Sequence, residues 1–545
     1  MIPFQTQLDP HSDEYHSNRD AMLSKVAQLQ QLRQRTLASS NRSAERFAKK
    51  NKLLPQERLS RLLDPGQPFL ELHNMAGYLL DSSQAERSVP GASAISGIGY
   101  VGGVRCLVFV DDAGINAGAA STITAKKMSR AQDIALQQKL PFIHLVESAG
   151  ANLMEYQVEM WLEGGAIFGK LAQLSAAGIP TIAILHGPSA AGGAYMPGMS
   201  DYVIGVKDNG KAYLAGPALL KAATGEEADD QQLGGAQMHA TVSGLVEYLA
   251  DNDSHAIGLC QELMGRLNWP TPPVNAQPKA AAGHPPLAPH YPAEEILGLV
   301  SDDYRKPYNC LELIARLVDG SQFLQFKAGY GAATVCVQAR IHGMDCGIIA
   351  NNGPIDADGA CKAAQFIQLC DQAQTPLLFL QNITGYMVGT AMEQGGIIKH
   401  GAKMIQAVRN ARVPRITLMV GASFGAGNYG MCGLGYQPDF LFSWPNAKIG
   451  VMGGESAAKT MSQLARDGAA RKGVAIDEAR LAAQEAQICA HFDKQSDAFY
   501  TSGRLLDDGI IDPRHSRDVI GLVLDVCQSA KQTQLQPNTF GIGRM

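Results

Sequence analysis

Residues 179–196 read IPTIAILHGPSAAGGAYM, and residues 413–431 read VPRITLMVGASFGAGNYGM. Each has a proline at its second position, continues as a strand-length apolar run, and ends in a turn of small residues. Pro180 and Pro414, Gly187 and Gly421, and Gly193 and Gly427 are all separated by 234 positions. Further blocks extend the match in both directions. LPFIHLVESAGANL pairs with TPLLFLQNITGYMV, which sets Gly150 against Gly385. KAYLAGP pairs with KIGVMGG, setting Gly216 against Gly453, and RLLDPGQPFLEL pairs with RLVDGSQFLQF. Small changes of offset fall between blocks, where loops absorb insertions. Blocks matched in this order mark an internal duplication.

Both copies alternate β-rich runs (VRCLVFV, PFIHLV, TIAIL; then CGIIAN, PLLFL, ITLMV) with helical segments. That rhythm predicts βα units, parallel pairing and an α/β fold in each half. Apolar spacing predicts helix over residues 20–65. Eight of the 27 prolines crowd between Trp269 and Pro292, where neither a helix nor a central strand can hold them. The expected organisation is a helical segment 1–65 packed on the first domain, a first domain 66–268, a Pro-rich linker 269–293 and a second domain 294–545.

With 545 residues, the chain exceeds what one core usually serves. Its 46 Lys and Arg against 51 Asp and Glu give a net charge of −5, which argues against coating nucleic acid or an anionic membrane. No apolar run is long enough to span a bilayer. The ten cysteines include no CxxC pair, so no zinc or redox-dithiol motif is legible, and dispersed thiols suit a reducing compartment. The first twenty residues carry acids and no apolar core, unlike a secretory or transit peptide.

The chemistry concentrates in the paired turns, Ser189–Tyr195 and Ser423–Tyr429. A strand, a turn of small residues and a helix in succession present backbone N–H groups to an anion or a developing oxyanion. Small side chains let a ligand carbonyl approach the main chain. Tight helix–strand packing without a ligand is the simpler reading of one such turn; two homologous turns weigh against it.

These turns, together with LVESAGANL, YLAGPALLKAATGE, LGGAQMHATVSG, LFLQNITGYMVG, GAGNYGMCG and WPNAKIGVMGGE, resemble one family. It is the carboxyltransferase, or β, subunit of biotin-dependent acyl-CoA carboxylases, in the methylcrotonyl-CoA/geranyl-CoA branch. The resemblance runs from about residue 25 to the closing FGIGRM. It implies two tandem crotonase-like domains, in agreement with the duplication. It implies too that an enolate of the acyl-CoA and a ureido oxyanion of biotin each need a donor site. Carried over, the amides of Gly192 and Gly193 hold the acyl thioester oxygen, and those of Ala426 and Gly427 hold the biotin carbonyl. Ala191 and Ala194 fall in the substrate-binding motif, and Phe424, Gly425 and Asn428 in the biotin-binding one. The implied cofactors are biotin, carried as carboxybiotin on a partner α subunit with biotin carboxylase and carrier domains, and coenzyme A within the substrate. No biotinyl motif is legible in this chain, and no metal is expected. The resemblance further implies a homo-oligomer, a β hexamer in a six-plus-six holoenzyme, with active sites between the first half of one protomer and the second half of another. A bacterial cytoplasmic location is expected.

Methylcrotonyl-specific relatives resemble a pattern with Phe before a Gly-x-Ile-Phe run. Here the sequence is Glu163-Gly164-Gly165-Ala166-Ile167-Phe168, with Gly164 at the Phe position. Losing the ring opens depth for a longer, branched geranyl chain, with Gly164 and Gly165 on the substrate side. The alternative reading is that Gly164 only ends a helix. The favoured activity is carboxylation at the γ-carbon of geranyl-CoA, with 3-methylcrotonyl-CoA as the alternative substrate.

Other motifs carry less. Gly97–Gly102 spells GxGxxG, but a strand-like run follows where a dinucleotide fold needs a helix. Gly421–Gly425 spells GxSxG, with Asp439 and His491 downstream, so a serine hydrolase using Ser423 is the rival. The copied turn at Ser189 favours inheritance by repeat over an installed nucleophile. His144 and His186 read as packed core histidines, Asp111-Asp112 as loop caps, and Glu226 and Glu227 as a solvated turn. Lys403-Met404 has only a superficial likeness to a biotinylated dipeptide, because it falls in a helical pattern.

Overall fold

The structure, a computed structural model, describes residues 2–151, 158–270 and 285–538. Most of the Pro-rich stretch 269–293 lies outside the described residues. The chain forms two compact units. One comprises Gln30–Ala276, Gly503–Leu505 and Val526–Met545; the other comprises Met1–Leu29, Gln277–Ser502 and Leu506–Asp525. Met1–Leu29 therefore groups with the second repeat, whereas the sequence pattern suggested that 1–65 packs on the first. Helices Asp13–Asn41, Ala44–Lys49 and Pro55–Leu62 occupy the predicted helical region.

The first unit contains β1 (Leu70–Leu72), β2 (Ala94–Val101), β3 (Val104–Asp111), β4 (Phe142–Ser148), β5 (Thr181–Ala190), β6 (Tyr202–Val206), β7 (Lys211–Tyr213) and β8 (Tyr248–Ala250). They form one sheet in the order β1-β2-β3-β4-β5-β6-β8, with β7 beside the far end of β5. The second unit contains β9 (Phe323–Gln325), β10 (Thr334–Ile341), β11 (Met344–Asn351), β12 (Leu377–Ile383), β13 (Arg415–Phe424), β14 (Phe440–Ser443) and β15 (Lys448–Gly450). Its order is β14-β13-β12-β11-β10-β9, with β15 beside β13.

The two sheets repeat one plan. An antiparallel hairpin (β2–β3, β10–β11) leads into parallel pairs (β3–β4–β5–β6, β11–β12–β13–β14). Even the register slip recurs, between Val146 and Ser148 on β4 and between Gln381 and Ile383 on β12. A parallel strand covered on both faces should be apolar throughout. β13 is buried at all ten positions, and β3 at all eight. The supposed dinucleotide motif is β2 of a hairpin. A Cβ on Gly97 would meet the Phe69 ring and one on Gly99 would meet Leu63, so these glycines serve packing.

Matching helices follow β3 and β11. Thr122–Gln137 is capped by Ser121, which accepts from the Thr124 amide, and Ala357–Gln372 by Asp356, which accepts from the Gly359 amide. Each helix buries a lysine that holds the loop before the hairpin. Lys127 donates to the carbonyls of Gly91 (3.1 Å) and Ala94 (2.6 Å), and Lys362 to that of Tyr330 (2.9 Å). Such burial is tolerated because the ammonium finds carbonyl partners.

Candidate active site

Each repeat ends its longest strand in a sharp turn. β5 passes at Ala190 into the short helix Ala191–Ala194, and β13 passes at Phe424 into the helix Gly425–Gly430. The residue that makes the turn has a left-handed backbone in both, with φ +54° at Ala191 and +57° at Gly425. Glycine accepts that geometry freely, whereas alanine is held there at a cost of order 1 kcal/mol or more. Aligned repeats set Ala191 opposite Gly425, which is how the sequence could have shown the strain.

In the first turn, Ala191 and Gly192 are exposed, and Gly193 and Ala194 are half-buried. A Cβ on Gly192 would lie 3.7 Å from Phe168 Cζ, and one on Gly193 would lie 3.3 Å from Ser189 Oγ. Ala194 packs toward the cluster of Val146, Ala183 and Leu185, so its methyl group serves the core. Phe168 stands edge-on to Tyr195, with centroids 6.1 Å apart. Sequence reasoning closed the turn at Tyr195 but did not bring Phe168 to it. Phe168 lies on helix Ala166–Ala176, four residues beyond Gly164. Gly165 between them has helical angles, φ −58° and ψ −22°, so the two positions share a face. Gly164 itself ends helix Val158–Gly164.

In the second turn, Ala426 is exposed and Gly427 is buried. A Cβ on Gly427 would lie 2.8 Å from Ile383 Cγ1 and 3.0 Å from Gly385 Cα, so only glycine lets the turn seat on the end of β12. A Cβ on Gly425 would lie 3.2 Å from the Val451 carbonyl. The first amides of a helix lack intrahelical acceptors and are available to an outside oxygen. The Phe424 side chain is buried, edge-on to Tyr304 at 5.0 Å. Asn428 donates through Nδ2 to Ser423 Oγ (2.8 Å), so its amide is spent inside the protein. Of these three, Phe424 and Asn428 turn their side chains into the protein, and Gly425 has none.

Ser423 is no nucleophile. It is 0% exposed, donates to Gln381 Oε1 and accepts from Asn428. Gln381 in turn donates to the Met431 carbonyl at 2.5 Å. Asp439 accepts from the Arg415 amide (2.9 Å), and exposed His491 contacts Gln495. No hydrolase triad forms, and the rival reading falls. The repeats differ here: Val146 and Ala194 stand where the second copy has Gln381 and Asn428. Ser189, 1% exposed, is left with an Oγ that has no hydrogen-bond partner.

Just behind the first turn lies a buried ionic group that sequence reasoning missed. Arg58 donates to Glu147 Oε2 (2.7 Å) and to Asp253 Oδ2 (2.9 Å); Lys52 also pairs with Glu147, and His186 Nδ1 lies 2.8 Å from Asp253 Oδ1. Burial pushes the His186 ring below its ordinary pKa, helped by the Arg58 guanidinium. Burial alone would raise Asp253, but its bond to His186 and the charge of Arg58 hold it well below the carboxylate range. A Cβ on Gly187 would collide with Glu147, so the cluster braces β5 close to its turn. Its members are far apart in the chain, and no local motif signals them. His144 packs edge-on to Phe109 at 5.4 Å. Asp112 accepts from Ser40 (2.7 Å) and the Gly114 amide (3.0 Å), and Asp111 from the Glu147 amide (3.1 Å). Glu226 and Glu227 are exposed, and Lys403-Met404 lies within helix Ile397–Asn410.

Known proteins agree with this architecture. Residues 46–541 match the carboxyl transferase domain family. A probable biotin-dependent acyl-coenzyme A carboxylase beta2 subunit of Mycobacterium tuberculosis is 44% identical, covering 99% of this chain and 100% of that one. A probable mitochondrial methylcrotonoyl-CoA carboxylase beta chain of Drosophila melanogaster is 43% identical, covering 99% and 95%. The crystal structure of the beta subunit of P. aeruginosa geranyl-CoA carboxylase superposes with a TM-score of 0.91 at 47% identity, covering both chains completely. Two crotonase-like α/β repeats, each ending in a small-residue turn, define a carboxyltransferase. The chain belongs to the carboxyl transferase family, as the carboxyltransferase subunit of a biotin-dependent acyl-CoA carboxylase.

Proposed function

We propose that this chain carboxylates the γ-carbon of a branched, unsaturated acyl-CoA, with geranyl-CoA as the preferred substrate and 3-methylcrotonyl-CoA as the shorter alternative. Gly164 carries the choice. Its backbone is not left-handed, and a Cβ there would meet only Ala125 Cβ, at 3.8 Å. The fold therefore does not require glycine at this position, and the missing side chain leaves room on the face that brings Phe168 to the first turn. The likeness to a geranyl-CoA carboxylase subunit supports the same substrate.

In this reading the amides of Gly192 and Gly193 hold the thioester oxygen as negative charge develops on it. Ala191 sets the turn. Gly164 and Gly165 leave space for the acyl chain, and Ala194 anchors the turn to the core. The amides of Ala426 and Gly427 hold the carbonyl of biotin, with Phe424 and Gly425 fixing the strand-to-turn geometry and Asn428 bracing it from within. This turn fits such a group, because its exposed Ala426 and bare Gly425 leave the main chain open. Carboxybiotin, borne on a separate α subunit, supplies the carboxyl group and the proton acceptor when bound. The chain need only stabilise charge, a task worth about 3 kcal/mol per donor. Self-assembly into a β hexamer is part of the same proposal.

The test is a carboxylation assay with the α subunit on wild type and Gly164→Phe. Wild type should prefer geranyl-CoA. The variant should lose roughly 10- to 200-fold in kcat/KM for geranyl-CoA and keep most of its activity on 3-methylcrotonyl-CoA. A wild-type preference for the shorter ester would refute the assignment.

A further inference from the structure

Outside both turns, the second unit carries a thiol in an activating setting. Cys361 lies near the start of helix Ala357–Gln372, facing helix Ile397–Asn410. Its Sγ is 2.9 Å from His400 Nδ1, and Lys403 Nζ is 3.1 Å from the same nitrogen. Nδ1 has a single lone pair, and the thiol and the ammonium both lie within reach of it, so either can donate to it. That nitrogen can take the thiol proton, and the exposed Lys403 side chain can follow the charge onto sulfur. A base and a cation beside a half-buried thiol are the conditions that make cysteine nucleophilic.

The molecule contains its own comparison. Eight of its ten cysteines are buried, and the other half-buried one is Cys489. Cys489 points at a carboxylate, Asp493 Oδ2, at 3.4 Å. Desolvation and that carboxylate push its thiol up, away from the reactive form. Two thiols of similar exposure thus sit in opposite electrostatic settings.

Cys361 opens onto a groove of about 820 Å³ between the same two helices. Ala364, Ile367 and Ala407 are among its apolar lining residues, and Gln365, Gln368 and Gln406 among its polar ones. Lys403 adds a cation at the sulfur end, while Arg412 at the other end is neutralised by Asp371. Side-chain amides beside a lysine suit a short peptide that carries a carboxylate. We propose that Cys361 is a site of reversible thiolation by a small peptide disulfide of the glutathione class. The Cys361 sulfur attacks one disulfide sulfur, the new S–S bond forms as the old one breaks, and the departing thiolate takes the proton removed by His400. One disulfide is consumed and one formed, so no other oxidant is needed.

The test exposes the full-length protein, in its native assembly at neutral pH, to millimolar glutathione disulfide, with the adducts followed by intact mass and peptide mapping. A single tripeptide adduct should form on Cys361, roughly ten-fold or more faster than on Cys489. His400→Gln should slow Cys361 by about the same factor while leaving Cys489 unchanged, which also reports that the variant is folded. Cys361→Ser should remove the fast adduct. The proposal fails if Cys489 reacts first, if neither thiol reacts, or if His400→Gln leaves the Cys361 rate unaltered. It fails as well if iodoacetamide selects Cys361 but glutathione disulfide does not, because the groove would then admit no peptide.

Discussion

Ser423 and Ser189 occupy the same place in two copies of one turn, yet their surroundings differ by two substitutions. Gln381 and Asn428 close a hydrogen-bond chain around Ser423, while Val146 and Ala194 leave Ser189 Oγ without a partner. A GxSxG string can therefore arise from the needs of a strand-to-helix turn, with the hydroxyl satisfied inside the protein. Ser423→Ala should cost about 1–3 kcal/mol of stability, because Gln381 Oε1 and Asn428 Nδ2 lose a shared partner. Its effect on carboxylation should stay far below the loss of roughly 10⁴-fold or more that follows removal of a nucleophile. Denaturant midpoints and steady-state rates check both, and a dead but fully stable variant would show that Ser423 acts in transfer rather than only in packing. The two turns were legible in sequence because runs of small residues imply close approach to the main chain, and the family resemblance then supplied the amides of Gly192, Gly193, Ala426 and Gly427 as the proposed donors. The partners of Ser423, and the Arg58–Glu147–Asp253–His186 group, were not, because they assemble only when distant segments meet.

At the scale of elements, the duplication made most strands legible. Long apolar runs became the central parallel strands, and offsets between blocks located the loops. The ends of the sheets were harder, because the repeats diverge there. In the first unit β8 pairs beside β6, whereas in the second the segment around Ile510 takes that place through a parallel bridge to Ser443. That segment is held by carboxylates. Asp508 Oδ2 accepts from the Leu441 amide (2.9 Å), and buried Asp507 accepts from Ser443 Oγ (2.6 Å) and Ser502 Oγ (2.7 Å). It covers an edge that would otherwise invite pairing with another chain. Burial raises the Asp507 carboxyl to about 6, against the pull of these hydrogen bonds. A raised carboxyl binds its proton more tightly in the folded state, so its contribution to stability is complete below about pH 4 and is lost as the pH rises through about 6. Asp507→Asn should remove that component of the slope between about pH 4 and 6. Urea unfolding across this range checks it, and an unchanged slope would place the titration elsewhere.

Over the whole molecule, two copies of one α/β plan present two backbone turns, each with a left-handed residue at its hinge and no side-chain acid–base pair built into it. Among the described residues no helix is long and apolar enough to cross a membrane, and no group of His, Cys, Asp and Glu is arranged to hold a metal ion. Main-chain donors are proposed at both turns, one set for each reactant. The most direct measurement pairs calorimetric binding of the acyl-CoA with α-subunit-dependent carboxylation, for wild type, Gly193→Ala and Gly427→Ala. The methyl group at Gly427 must displace Ile383 and Gly385, and the one at Gly193 presses on Ser189. Gly427→Ala should bind the ester within about three-fold of wild type while its transfer rate falls roughly 10²- to 10³-fold. Gly193→Ala should weaken both. Equal loss of ester binding in the two variants would contradict the division of labour between the repeats.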